Sequence, residues 1–331
     1  MIEEVYTKII NKYIKLREKI NKYDLMLRQE LREKIKENWI ELNLTKPVLK
    51  KGYIAIDGGM YSKDLRVGLL YVVNAEALFY SGNNMKPILK DSIVGILRPG
   101  NHGKELVREI MSFLEIRMMT ECSSKEENNI DYILMDGSPF KKIEKTSIDI
   151  SSNEENKGND VYTLLSEMLV DDEEEIRILI LNEKLKLIKK AVTKFGDKIL
   201  WISKISRSTK LFNLSIPDIV ILETFTNSIG YTVPKISEIR IDNEKFNITT
   251  TYVRLASNEK VLRLDIFGKK DEKFIEEIIN ALLPISIRGY PFPLLKVHSD
   301  VKVSSKDKRR IIEILGLNQK RIVNWWPDQL S

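Results

Sequence analysis

The chain has 331 residues, 43% hydrophobic and 31% charged, with 54 Lys and Arg against 48 Asp and Glu. It is mildly basic, with a net charge of +6 and a pI near 9.0. That composition is globular and fits one large domain with additions, or two domains. One cysteine, Cys122, excludes an internal disulfide and a cysteine-based zinc cluster, and two histidines leave little room for a histidine-rich centre. Any metal must therefore be held mostly by oxygen, which suits magnesium and manganese.

Residues 1–45 read as helix throughout, with no Gly or Pro before Pro47. Apolar residues recur at three- and four-residue spacing, from Val5, Ile9 and Tyr13 to Leu31 and Ile35, and the expectation is a helical hairpin packed on the domain or on a second subunit. The opening MIEEVYTKII carries acids where a secretory signal needs a basic start, and no run approaches the ~18 apolar residues of a membrane span. A cytoplasmic protein without a membrane partner is expected.

Next, Tyr53-Ile54-Ala55-Ile56 runs into Asp57 and then Gly58-Gly59, reading as a buried strand whose exit bears a carboxylate before a tight turn. Residues 65–80 read as two further strands, 67–73 and 77–80, which complete a three-stranded meander. Residues 103–121 form the clearest central helix, striped by Leu106, Ile110, Phe113, Leu114 and Met118. Glu115 has Met111, Met118 and Met119 as its helical neighbours, so its carboxylate emerges among apolar side chains. Either a metal or cation relieves the cost of burying it, or it sits at the margin of the stripe, paired with Arg117 or Lys104 or reaching water. Tyr132-Ile133-Leu134-Met135 then repeats the first design, ending in Asp136, Gly137, Ser138 and Pro139. Each Asp-Gly taken alone is an ordinary turn signal; two of them, with Glu115 between, are a constellation.

A polar excursion at 147–160 precedes helix over 161–195. Strand 199–202 ends in Ser203, Lys204, Ile205, Ser206, Arg207 and Ser208, whose hydroxyls and cations suit phosphate contacts or a plain polar loop. Residues 218–225 read as strand, 249–256 and 261–267 as a hairpin about Ser257-Asn258, and 271–283 as helix. The loop Gly289-Tyr290-Pro291-Phe292-Pro293 leads to His298 and Asp300, with the basic cluster Lys302, Lys306, Lys308, Arg309, Arg310, Lys320 and Arg321 behind. A basic face suits a polyanion as well as solvent. The Trp325-Trp326-Pro327 tail needs burial in the fold, a dimer mate or a partner. No internal repeat, Walker A sequence or dinucleotide fingerprint is present.

Strand Asp, helix Glu, strand Asp is the order in which an RNase H-like sheet assembles its metal site. Three carboxylates can hold one or two hard cations for in-line attack on a phosphodiester, with His298 orienting the water or protonating the leaving group and Asp300 as a fourth ligand. The segments AIDGG at Asp57, the helix bearing Glu115, ILMDGSPF at Asp136, SKISRSTKL, VRLASNEKVLRLDIF and RGYPFPLLKVHSDVKV together resemble the NurA family of archaeal and bacterial nucleases over about residues 50–310. The resemblance implies an RNase H-like α/β fold, a mixed sheet flanked by helices. It implies a manganese-dependent DNA nuclease, with magnesium as a second choice, that has 5′–3′ exonuclease and single-stranded endonuclease activity. It further implies a homodimer acting with a HerA-type hexameric translocase in DNA end resection and double-strand break repair. On it, Asp57, Glu115 and Asp136 are the metal ligands and His298 stands beside them; Ser203, Lys204 and Arg207, in the polar loop after strand 199–202, are the candidate DNA contacts. The chain departs from the family at Gly58-Gly59, where many members have Gly-Ser, and in the 147–160 excursion. The expected division is an N-terminal extension at 1–48, a nuclease domain at 49–315 and a tail at 316–331. The competing readings are a sugar-kinase or actin-like ATPase, which lacks its second Gly-rich loop here, a junction resolvase, and a non-catalytic DNA-binding or translocase-adaptor subunit.

Overall fold

The computed structural model describes residues 2–42, 51–66, 68–82, 84–98, 102–122, 130–144, 161–166, 169–170, 173–241 and 244–317. The 147–160 excursion, Lys320, Arg321 and the Trp325-Trp326 tail lie outside these residues. Helix α1 (Ile2–Asn38) is continuous, which corrects the expected hairpin: nothing among residues 14–30 breaks a helix, and the periodicity fixes helicity but not a turn. It leads into β1 (Trp39–Glu41), which pairs antiparallel with β8 (Gly230–Thr232).

An antiparallel meander follows, made of β2 (Tyr53–Leu65), β3 (Gly68–Ser81) and β4 (Asn84–Leu97). A single strand, β3, thus stands where two were expected, and the third strand lies beyond it, polar and half-exposed, with little apolar signal. Helix α2 (Gly103–Glu121) crosses back to β5 (Tyr132–Asp136), which lies parallel to β2, Ile54 opposite Ile133. After α3 (Pro139–Glu144) come α4 (Val161–Ser166), the short β6 (Leu169–Val170) and α5 (Glu173–Phe195), so two helices and a strand replace the expected helical stretch. Then β7 (Ile199–Ser203) adds parallel to β5.

Residues 218–225 form a helix, α6 (Asp218–Phe225), where a strand was expected. A short apolar run does not by itself separate strand from buried helix. Here the tertiary context decides, because the Asp218 carboxylate accepts the backbone N–H groups of Leu211 and Phe212 at 3.1 Å and the Tyr252 hydroxyl at 3.0 Å. The chain continues through β9 (Lys235–Ile241), β10 (Glu244–Arg254), β11 (Val261–Phe267) and α7 (Glu272–Leu282), capped by Asp271. A small ribbon, β12 (Ser286–Ile287) with β13 (Tyr290–Pro291), precedes α8 (Phe292–Val301) and α9 (Ser305–Ile314).

The main sheet has the order β1-β8-β10-β11-β7-β5-β2-β3-β4-β6, with β9 on β10. Its middle, β4-β3-β2-β5-β7, is the RNase H-like arrangement of an antiparallel meander joined to parallel strands. Alternate residues of β2 feed two cores. Ile54 and Ile56 join the layer under α2 and α5, while Tyr53 and Ala55 join the layer of α7 and α8. A strand covered on both faces reads as an unbroken apolar run, which is why Ile54-Ala55-Ile56 shows no alternation.

Candidate metal centre

Strand β2 does not end at Asp57. It continues to Leu65 against β3, whereas the parallel pairing with β5 stops at Ile56 and Met135. Gly58 and Gly59 therefore lie in extended backbone and make no turn, contrary to the expectation. Their role is close approach: a Cβ on Gly58 would sit 2.8 Å from Oε1 of Glu115, and one on Gly59 would sit 1.9 Å from the carbonyl oxygen of Val301. The missing side chains let α2 press on one face of β2 and α8 on the other.

Asp57 points to the α8 side, as does Asp136 at the end of β5, since each follows by two residues a member of that core, Ala55 and Leu134. In α8, Leu294, Val297 and Val301 are buried against the sheet, and His298 flanks that stripe. Its Nδ1 lies 2.7 Å from Oδ2 of Asp57. One ligating atom from each of Asp57, Asp136 and His298 falls within 4.8 Å of the others. Glu115 arrives from the opposite face over Gly58; it is buried, with Oε2 engaged by the ammonium of Lys142 from α3. Of the pairings expected for it, neither forms: Arg117 bonds Glu121, and Lys104 bonds Asp64. Asp300 is not part of the cluster, for Lys296 one helical turn earlier holds both its oxygens. It points away because only one face of α8 meets the sheet.

The electrostatics follow from this crowding. Burial, then the charges of Glu115 and Asp136, push the Asp57 carboxyl up to about 6, against hydrogen bonds from His298 and the Gly58 N–H that favour its ionised form. Excess negative charge at a buried edge is the environment a divalent cation relieves, and carboxylates with one imidazole are a donor set for manganese or magnesium. Tyr290 lies over the same edge, its hydroxyl 3.5 Å from Asp136; burial first and then Asp136 and Asp57 hold it as a neutral phenol. Lys204 stands 3.9 Å from Asp136 and 4.2 Å above the Tyr290 ring, while Ser203 is buried in β7 and Arg207 is exposed beyond it.

Sequence reasoning missed Lys142, Tyr290 and Lys184. The signal for Lys184 was present: its neighbours at three and four positions are Ile180, Leu181, Leu187 and Ile188, the same cue that marked Glu115. It is fully buried and bonds Glu109 at 2.6 Å, and burial lowers its pKa.

An acidic cluster at the edge of an RNase H-like sheet, flanked by lysines, is the arrangement found in α/β proteins that hold a metal and handle phosphate esters. A family model for the NurA domain matches residues 51–303. The chain is 39% identical to the DNA double-strand break repair nuclease NurA of Sulfurisphaera tokodaii, with 100% of each chain covered. It is 36% identical to the protein of that name from Saccharolobus solfataricus, with 99% of each covered. The crystal structure of the NurA nuclease from Sulfolobus solfataricus superposes with a TM-score of 0.81 at 31% identity, covering 99% of this chain and 100% of that one. A NurA structure bound to dAMP and manganese shares the fold at 16% identity and a TM-score of 0.59, covering 97% of this chain and 99% of that one. The chain belongs to the NurA family.

Proposed function

We propose that the chain is a manganese-dependent DNA nuclease of double-strand break repair. The observation that carries this reading is the gathering of Asp57, Asp136 and His298, with Glu115 beside them, at one sheet edge where Asp57 is held up to about 6. The names of its full-length relatives, nucleases of double-strand break repair, support it, and family membership leaves the kinase-like ATPase and adaptor readings without support.

In this reading Asp57, Asp136 and Glu115 hold the metal, which when bound supplies charge neutralisation and a water activated for attack on the scissile phosphate. Lys142 pairs with Glu115 and would have to release it for that carboxylate to hold a cation. Asp57 fixes the His298 ring through Nδ1, and the half-exposed imidazole orients the water or hands a proton to the leaving oxygen. Lys204 and the neutral Tyr290 hydroxyl face the phosphate, Lys204 by charge and Tyr290 by a donated hydrogen bond. The nuclease unit spans 49–315, with 1–48 and 316–331 as extensions. Family membership supports the finer expectations of a homodimer, a HerA-type hexameric ATPase as partner, 5′–3′ polarity and a cytoplasmic location; among the described residues no helix is long and apolar enough to cross a membrane.

Cleavage of 5′-labelled and 3′-labelled linear DNA by the wild-type chain and Asp57→Asn, with manganese, magnesium or chelator, tests the proposal. Manganese-dependent product that disappears in the variant is expected, and the two labels give the polarity. DNA that is bound yet never cut under any condition would refute it.

A further inference from the structure

Four residues beyond Asp136, Phe140 forms one wall of a pocket of about 200 Å³ whose other walls include Lys210, Lys235, Ser237, Thr250 and Arg263. That volume is several times the ~30 Å³ share of one water and below the ~300 Å³ at which clefts for drug-sized ligands begin. It has room for one base, with the sugar and phosphate left at the open rim, and not for a whole cofactor.

The charges around it do not cancel. The Asp218 carboxylate in its wall is turned inward, onto two backbone N–H groups and the Tyr252 hydroxyl. Asp265, behind the wall and fully buried, is satisfied by Ser138 at 2.9 Å, Thr250 at 2.6 Å and the Arg263 guanidinium at 2.9 Å. Lys210 and Lys235 remain as exposed cations at the rim. The Arg263 guanidinium lies 5.1 Å and the Lys210 ammonium 5.8 Å from the centre of the Phe140 ring. An aromatic ring among cations and hydroxyls is the chemistry that stacks a base and holds its phosphate without reading its sequence.

A short, braced path joins the pocket to the metal centre. The Gly137 N–H donates to the carbonyl of Ile202 at 2.9 Å, and the next residue, Ser138, is the one tied to Asp265. The turn that carries Asp136 on one side thus carries the pocket wall on the other.

We propose that this pocket is a second nucleotide site, holding one unstacked, phosphate-bearing nucleotide of a single DNA strand whose scissile linkage sits at the acidic edge. The proposal rests on the nuclease reading and deepens it. A walled space of this size admits a nucleotide only after it leaves the base stack, so a duplex end enters after fraying.

The test uses the full-length chain, the double variant Lys210→Ala/Lys235→Ala, and Ile236→Trp, which fills the pocket from an exposed lining position. Anisotropy of a fluorescein-labelled oligothymidylate is measured in chelator across a salt series, beside manganese-dependent hydrolysis of bis(p-nitrophenyl) phosphate, which is too small to span both sites. Both variants are expected to bind about 10-fold more weakly, the double variant with a salt slope shallower by about 0.7 for each phosphate it no longer neutralises, and both to hydrolyse the small diester as the wild type does. Wild-type affinity and slope in folded variants would overturn the proposal, as would loss of small-diester hydrolysis in both. A wild-type chain inert toward every diester would instead refute the nuclease reading, while the metal-free anisotropy still decides whether the pocket binds a nucleotide.

Discussion

Replacing Asp57 by Asn should abolish manganese-dependent cleavage and, at neutral pH, stabilise the metal-free fold. The carboxyl is raised from 3.8 to about 6 by burial and by the charges of Glu115 and Asp136. A raised acid is a penalty on the ionised native state: present in full above the folded value, it fades as pH falls through about 6 and is gone below 3.8. Raising the carboxyl from 3.8 to about 6 corresponds to roughly 3 kcal/mol at ~1.36 kcal/mol per tenfold change in proton affinity. An uncharged isostere recovers part of this, less whatever is lost in the bonds to His298 and Gly58. At roughly 2 °C per kcal/mol for a chain of this size, Tm should rise by a few degrees at pH 8. Thermal unfolding of wild type and Asp57→Asn in chelator, at pH 8 and at pH 4.5, checks the argument. The difference should be largest at the higher pH and roughly one third as large at the lower one, since pH 4.5 still lies above 3.8. Manganese should raise Tm for the wild type at pH 8 by mass action and leave the variant unmoved. A variant less stable than wild type at pH 8, or a gain independent of pH, would refute the electrostatic account of this edge.

Two neighbouring glycines should separate chemistry from folding. Gly58→Ala meets the side chains of Glu115 and Met111, at Oε1 and the two Cγ atoms, so about 1–3 kcal/mol of overpacking should accompany a much larger fall in cleavage rate as Glu115 is displaced. Gly59→Ala meets the backbone carbonyl of Val301 and should unfold the chain or shift α8 off the sheet, seen as loss of a cooperative melt. His298→Ala, at a half-exposed position, should change Tm little; by removing a bond that favours ionised Asp57 it should move the acid limb of the pH–rate profile upward. Lys184→Met should cost up to about 3–5 kcal/mol because it removes a buried cation bonded to the Glu109 carboxylate, and Lys184→Met/Glu109→Leu should recover most of the loss in denaturant unfolding.

Much of the candidate site was legible because it obeys local rules. Asp57 and Asp136 each follow an apolar β-branched run, and Glu115 sits among methionines on a helix; those patterns depend only on near neighbours. The misreadings came where meaning depended on distant chain. Gly58-Gly59 looked like a turn, since a glycine pair carries no record of whether its freedom serves a bend or a close approach; only the arrival of Glu115 and Val301 from opposite faces shows the latter. The run at 218–225 is too short for its period to distinguish helix from strand. His298 and Asp300, two residues apart, are both expected at the site, yet a helix facing the sheet on one side brings His298 to Asp57 and leaves Asp300 to Lys296.

By itself the sequence determined the elements whose period is strong and the absence of an internal disulfide and a cysteine-based zinc cluster, and it offered an oxygen-rich candidate donor set carried on strand, helix and strand. The tertiary structure decided which of those donors meet, that Lys142 and Tyr290 join them, and that a cationic pocket opens beyond Phe140. The physical reason is range: propensity and periodicity act over a few residues, whereas the Asp57–His298 pair closes 241 residues of chain. Its geometry is set by two helix layers packed on opposite faces of one sheet.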